Sequence, residues 1–212
     1  MQIFPRELNY LPLVLALVAG ALGTGVFVLF WVYFTPSNLQ VGYTPTQPVA
    51  YSHRLHAGEL GMDCRYCHSQ VERSHEAMVP PTQTCMGCHA LVRTESAQLA
   101  AIRSSWETGE SIAWVRVNKV PDHAFFNHSI HLAGGVGCVS CHGRIDQMEV
   151  VGIVEPLAMQ WCLDCHRNPE PHIRPTSEVT NMGWQADETW LAQRAEVASQ
   201  LNPPMHCSGC HR

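Results

Sequence analysis

FNHSIHLAGGVGCVSCH, Phe126–His142, is the stretch whose reading decides the fold. It closes on Cys138-x-x-Cys141-His142. In this pattern two thiols bond the vinyl groups of a c-type haem and the next histidine ligates the iron. It opens on a second histidine pair, His128 and His131, free to supply ligands to the other face of a haem. The same layout occurs upstream in YSHRLHAGELGMDCRYCH, residues 51–68, with His53 and His56 ahead of Cys64-x-x-Cys67-His68. A further attachment motif follows each copy after a proline-containing loop: Cys85-x-x-Cys88-His89 and Cys162-x-x-Cys165-His166. A fifth, Cys207-x-x-Cys210-His211, closes the sequence, so all ten cysteines fall into five motifs.

A lone CxxC also suits zinc ribbons and redox dithiols. Zinc uses such pairs two at a time, five is odd, and zinc does not require a histidine after every second cysteine. A disulfide framework has no reason to keep one spacing. Five haem c groups are the expectation, with His68, His89, His142, His166 and His211 as proximal iron ligands. His53, His56, His128 and His131 are the expected distal ligands, each HxxH pair dividing between the haem that follows and a neighbour. That leaves one haem short. Met148 or Met159 is the expected fifth distal ligand, because methionine raises a haem potential. His75, His123, His172 and His206 are the other distal candidates, of which His75, His172 and His206 lie near a motif.

Leu11–Phe34 is free of charge over 24 residues. As a helix it is about 36 Å long, enough to cross a bilayer. Pro12 suits a first turn, Pro36 cannot continue the helix, and Trp31 and Tyr33 sit where an aromatic belt forms. A run this long, with no clear small-residue cleavage site, predicts a retained signal anchor rather than a cleaved leader. Ala16, Gly20 and Thr24 recur every fourth residue, a stripe that lets another helix approach. The flanks carry too few Lys and Arg to vote on orientation. Haem attachment takes place on the outer side of the bacterial inner membrane. A cytoplasmic N-terminus and a periplasmic haem domain are therefore expected of this single-pass chain.

The expected organisation is a short N-terminus (1–10), a membrane anchor (11–34) and a proline-rich linker (35–50). Then come a dihaem module (51–89), a haem-free connector (90–125), a second dihaem module (126–166) and a C-terminal segment with the fifth haem (167–212). The haem-bearing part has about 35 residues per haem, too few for layered cores. The fold class expected is thus a multihaem cytochrome c: coil and short helices wrapped around porphyrins, with little β. Helices are expected over Thr94–Trp106, with Leu99, Ile102 and Trp106 inward, and over Asp187–Leu201, with Trp190, Leu191, Ala195 and Ala198 on one side. Ile112–Val117 reads as a short strand.

The formal charge is −5, with twelve arginines and one lysine, Lys119. No basic patch points to nucleic acid, whereas arginine suits haem propionates. DCRYCHSQVERS, PPTQTCMGCH, CVSCHGRIDQMEVV, WCLDCHRNPE and the final CSGCHR, after one N-terminal membrane helix, resemble the pentahaem cytochrome c subunit of bacterial alternative complex III. The resemblance runs over about residues 10–212. It implies a quinol:electron-acceptor oxidoreductase in which this subunit has no catalytic site of its own. The implied partners are iron–sulfur and polytopic membrane subunits, with a periplasmic cytochrome c or terminal oxidase as acceptor. Two alternatives stand beside it: a stand-alone multihaem quinol dehydrogenase, and a catalytic multihaem reductase. The last needs an open iron position, often with a changed motif, and all five motifs here keep His.

Overall fold

The computed structural model describes residues 5–35 and 40–211. Pro36 and the first part of the expected linker lie outside them. The chain divides into two compact units, Met1–Gln40 and Val41–Arg212.

In the first unit a 3-10 turn, Arg6–Tyr10, leads into α1, Leu11–Tyr33. Pro12 falls in the first turn, where its missing N–H costs no helical bond. The helix closes with the Phe34 N–H donating to the Phe30 carbonyl at 2.9 Å. Stacked rings, Phe27 on Trp31 and Phe30 on Phe34, line its last turns. None of its residues is buried, and its mean hydropathy is 2.5, so it is long and apolar enough to cross a membrane.

The second unit holds no β-strand among its described residues, only isolated bridges between Ala124 and His211 and between Val136 and Ile173. Its helices are short: α2 Cys64–Cys67, α3 Thr82–His89, α4 Ala100–Thr108, α5 His128–Ala133, α6 Val139–His142, α7 Met159–Arg167, α8 Glu188–Ser199 and α9 Cys207–Cys210. Attachment motifs occupy five of these helices, because one helical turn brings residues i and i+3 to the same face. Side chains start the turns where they matter: Asp63 accepts from the Arg65 N–H at 2.8 Å and Asn127 from the Ser129 N–H at 2.9 Å.

Apolar burial is thin and scattered, confined to Val49, Val71, Ile102, Leu132, Ile153, Ile173 and Val179 among the described residues. Only Val71, Leu132 and Val179 make a cluster, which ties together segments from both halves of the unit. Protein alone supplies little interior here.

Several expectations are revised by the packing. The helix expected over Thr94–Trp106 begins as a 3-10 turn, Ala97–Leu99, continues as α4 and stops at Gly109 in the left-handed conformation, φ 76°. Ile102 is its buried residue, whereas Trp106 faces out. Helix α8 is capped by Asp187, which accepts from the Trp190 N–H at 2.7 Å. Its half-buried stripe is Trp190, Arg194, Val197 and Ala198; of the expected set Trp190 and Ala198 lie on it, whereas Leu191 and Ala195 are exposed. The stripe turns because Arg194 pairs with Glu170 at 3.2 Å.

Ile112–Val117 is not a strand. Its extended backbone finds a side chain instead: Gln47 donates to the Val115 carbonyl at 2.8 Å and accepts from the Val115 N–H at 2.9 Å. The same contact shows that the linker's second half is docked. The Gly42 N–H bonds the Ile153 carbonyl at 2.7 Å, the Ile153 N–H bonds the Tyr43 carbonyl at 3.1 Å, and Val49 is buried.

The π-helical turn Arg54–Glu59 docks on the 3-10 turn Ile145–Gln147. The Arg54 N–H donates to the Met148 carbonyl at 3.0 Å, and Gly58 presses its Cα against the Asp146 carbonyl. A Cβ there meets that oxygen head-on. Gly58→Ala is therefore expected to destabilise the domain by about 1–3 kcal/mol through overpacking, read as a lowered midpoint in thermal unfolding.

Candidate haem sites

In the first copy of the repeat the Tyr51 ring meets His53 edge-on, with centroids 4.8 Å apart at 85°, and stacks on His56 at 4.5 Å and 20°. In the second copy Phe126 meets His128 at 4.7 Å and 86° and lies on His131 at 4.5 Å and 31°. The second histidine of each pair bonds the carbonyl four residues back through Nδ1: His56 to Ser52 at 2.9 Å, His131 to Asn127 at 2.7 Å. Two segments 75 residues apart thus share one geometry. The aromatic two residues before each HxxH was not singled out from sequence; the equal offset in YSHRLH and FNHSIH was the available signal.

Four of the five motif histidines have an imidazole opposite or beside them. His128 faces His142 with centroids 6.5 Å apart and planes 5° from parallel. His131 faces His166 at 6.1 Å, and His56 faces His89 at 6.3 Å. His123 faces His211 at 5.5 Å, drawn in by the Ala124–His211 bridge. His53 is half-buried, and among charged neighbours His68 acts on it most strongly. The ring opposite His211 is His123; of the two methionines expected as a ligand, Met159 is 65% exposed. The connector 90–125 supplied no motif, so His123 carried no repeat to mark it.

Ring orientation is fixed through Nδ1. His68 donates to the Met78 carbonyl at 2.6 Å, His89 to Val92 at 3.0 Å, His166 to Pro204 at 2.7 Å, His211 to His123 at 3.1 Å and His128 to His75 at 2.8 Å. A carbonyl can only accept, so each proton sits on Nδ1 and each Nε2 lone pair is left open. Met78 has φ 65°, a left-handed backbone that is costly for this residue. Arg93, beside the Val92 carbonyl, has φ 55°. Strain is thus stored at two of these acceptors. Burial lowers the pKa of His142 to about 4, helped by the charges of His128 and His68. His53 falls to about 4 by burial first, then by His68, His56 and His142. Both rings stay neutral, as metal ligands must.

The attachment motifs touch one another in a definite order, which is not the sequence order. Gly87 of the second lies against the Tyr66 hydroxyl of the first. The first meets the third on consecutive carbonyls: the Cys138 N–H bonds Val179 at 2.9 Å and the Cys64 thiol lies 4.0 Å from the Thr180 oxygen. The third and fourth are joined through His131, and the Cys141 thiol is pushed up to about 12 by burial and then by Cys165 and Cys162. The fourth meets the fifth where His166 bonds Pro204, which packs on Gly209. The row therefore runs second, first, third, fourth, fifth. Cys88 and Cys207, at its two ends, are the exposed cysteines; the other eight are half-buried.

These residues fit c-type haem. An imidazole nitrogen binds a first-row metal at about 2.0–2.1 Å, so two rings sharing an ion have centroids about 6 Å apart. That is the spacing observed, the lone pairs are free, and the protein interior is too sparse to serve as a core by itself.

No family model matches the chain. It is 25% identical over 171 residues to the multihaem cytochrome c subunit of a menaquinone reductase from Nitratidesulfovibrio vulgaris, covering 78% of this chain and 77% of that protein. The architecture is that of a multihaem cytochrome c. Within it, the aromatic of each repeat is a packing element, and the two are expected to be interchangeable. Tyr51→Phe and Phe126→Tyr should change stability by less than about 1.5 kcal/mol, whereas alanine at either place should cost about 2–4 kcal/mol, measured by thermal unfolding.

Proposed function

We propose that this chain is the electron-relay subunit of a membrane-bound, quinol-linked oxidoreductase, holding five c-type haems, one at each CxxCH motif. The observation that carries the reading is the set of facing imidazoles, with the nearly parallel His128–His142 pair as its clearest member. In this reading His68, His89, His142, His166 and His211 are the proximal ligands. His53, His56, His128, His131 and His123 are the distal ligands, in that order for the first, second, third, fourth and fifth sites. Each HxxH pair divides between two sites because residues three apart on a turn point in well-separated directions.

Haem bound at such a site supplies a one-electron couple. The chain's own residues do the rest. Two cysteines would anchor the haem at each site, two imidazoles would ligate its iron, and carbonyl acceptors hold the rings in place. Two histidine ligands to each iron would leave no position for a substrate, which favours a relay over a catalytic reductase. The contacts between motifs supply a continuous row whose ends, at Cys88 and Cys207, reach the surface, where electrons enter and leave.

The finer reading is a complex of the alternative complex III kind, with iron–sulfur and membrane subunits as partners and a periplasmic cytochrome c or terminal oxidase as acceptor. Helix α1 is the single-pass anchor, with the N-terminus cytoplasmic and the haem domain periplasmic, since haem attachment occurs there. The name of the Nitratidesulfovibrio protein favours a second reading, in which electrons run toward menaquinone. Purification in mild detergent, identification of co-eluting subunits, and stopped-flow mixing with menaquinol or with a reduced cytochrome separate the two directions. Rapid haem reduction by quinol in the isolated subunit supports the stand-alone dehydrogenase instead.

Mass spectrometry of the purified chain is expected to show five covalent haems; four or fewer removes the row. His128→Ala is expected to turn the haem at Cys138–His142 high-spin, and His131→Ala the haem at Cys162–His166, read by electron paramagnetic resonance. His123→Ala is expected to do so at Cys207–His211, while Met159→Ala leaves all five spectra unchanged. One and the same haem responding to both His128→Ala and His131→Ala overturns the division of ligands.

A further inference from the structure

Eight histidines form the facing pairs, and six of them bond a backbone carbonyl through Nδ1. His142 differs. Its Nδ1 lies 3.2 Å from the side-chain amide of Asn118. The site it serves is the third motif, the middle of the row, and His142 belongs to the most nearly parallel pair. A backbone carbonyl is the same acceptor whatever the sequence, but a side chain can be chosen.

Asn118 is held in place from both sides. Three residues before it, Gln47 clamps the Val115 backbone with two hydrogen bonds. The next residue, Lys119, pairs with Asp122 at 3.1 Å. The side chain is half-buried, with the His142 ring over it. The amide nitrogen is drawn toward Nδ1, which puts the ring proton on Nε2 and closes that nitrogen to a metal. The oxygen and nitrogen of an amide are nearly isosteric, and their assignment follows from the bonding network. Turned over, the amide presents Oδ1 as an acceptor, the proton sits on Nδ1, and Nε2 opens as in the other rings.

We propose that Asn118 is a positioning residue for the central haem site: its Oδ1 accepts the His142 Nδ1 proton, fixes the ring and sets how strongly that imidazole donates to iron. The proposal rests on the reading of His142 as an iron ligand. An acceptor on Nδ1 makes a ligating imidazole more basic, and a more basic ligand favours the ferric state. A carboxylate acceptor strengthens this and an aliphatic group abolishes it. The site's potential is thus written in residue 118.

The test is a redox titration of the full-length, haem-loaded protein in detergent, comparing the natural chain with Asn118→Asp and Asn118→Leu. The haem count is checked by mass spectrometry and the spin states by electron paramagnetic resonance. One of the five components is expected to move to lower potential in Asn118→Asp and to higher potential in Asn118→Leu. Each shift is expected to be about tenfold in the equilibrium constant, which is about 59 mV for one electron. The other four components stay in place. No shift, shifts of the same sign, or movement of all components together overturns the proposal. Where Asn118→Leu fails to load haem, the isosteric Asn118→Asp decides alone: a single lowered component supports it, and an unchanged titration overturns it. Should His142→Ala leave all five haems low-spin with unchanged potentials, the reading of His142 as a ligand fails, which is a separate result.

Discussion

An imidazole that gives its Nδ1 proton to a fixed carbonyl has one lone pair left and one direction in which to offer it. The rest of this molecule is arranged to meet that constraint many times over. The acceptors come from scattered places: Met78 and Val92 after their own motifs, Ser52 and Asn127 four residues back in a turn, and Pro204 and His75 from distant segments. Pro204 and His75 in this way tie a ring to a segment far away in the chain. The hydrogen bonds that orient ligands are thereby also the tertiary contacts of a domain with almost no apolar core.

This explains why the segments without motifs are not spacers. The connector 90–125 carries no attachment cysteine, yet it delivers His123 to His211 and Asn118 to His142. Gly42, Tyr43 and Gln47 lie against Ile153 and Val115 rather than leading freely away. The strained backbone at Met78 and Arg93 fits the same scheme, because a left-handed residue turns the carbonyl at or beside it where an ordinary conformation does not. Such conformations persist only where the surroundings over-determine them.

Much of the candidate site was legible from sequence for a physical reason. Covalent haem attachment would need two thiols and a histidine within one helical turn, so local spacing alone marks Cys138–His142 and its four counterparts. The HxxH pairs were legible because they recur at a matching offset. His123 was not, since it reaches His211 across 88 residues through a backbone bridge that leaves no periodic trace. Ile112–Val117 has the β-branched composition of a strand, but its hydrogen-bonding partner is the Gln47 side chain. In Asp187–Leu201 the cap was readable, because Asp187 acts on its own turn, whereas the inward stripe was set by a remote pairing with Glu170.

In every facing pair the partner imidazole precedes the motif histidine along the chain: His56 before His89, His128 before His142, His131 before His166, His123 before His211. On the proposed topology and ligand assignment, a chain exported behind an N-terminal anchor would emerge from the membrane in that order. Whenever one of these motifs reached the machinery that joins porphyrin to cysteine, its second imidazole would already be outside. No intermediate would have to hold a half-ligated porphyrin while later polypeptide was delivered. The order of residues would then also be a schedule for maturation.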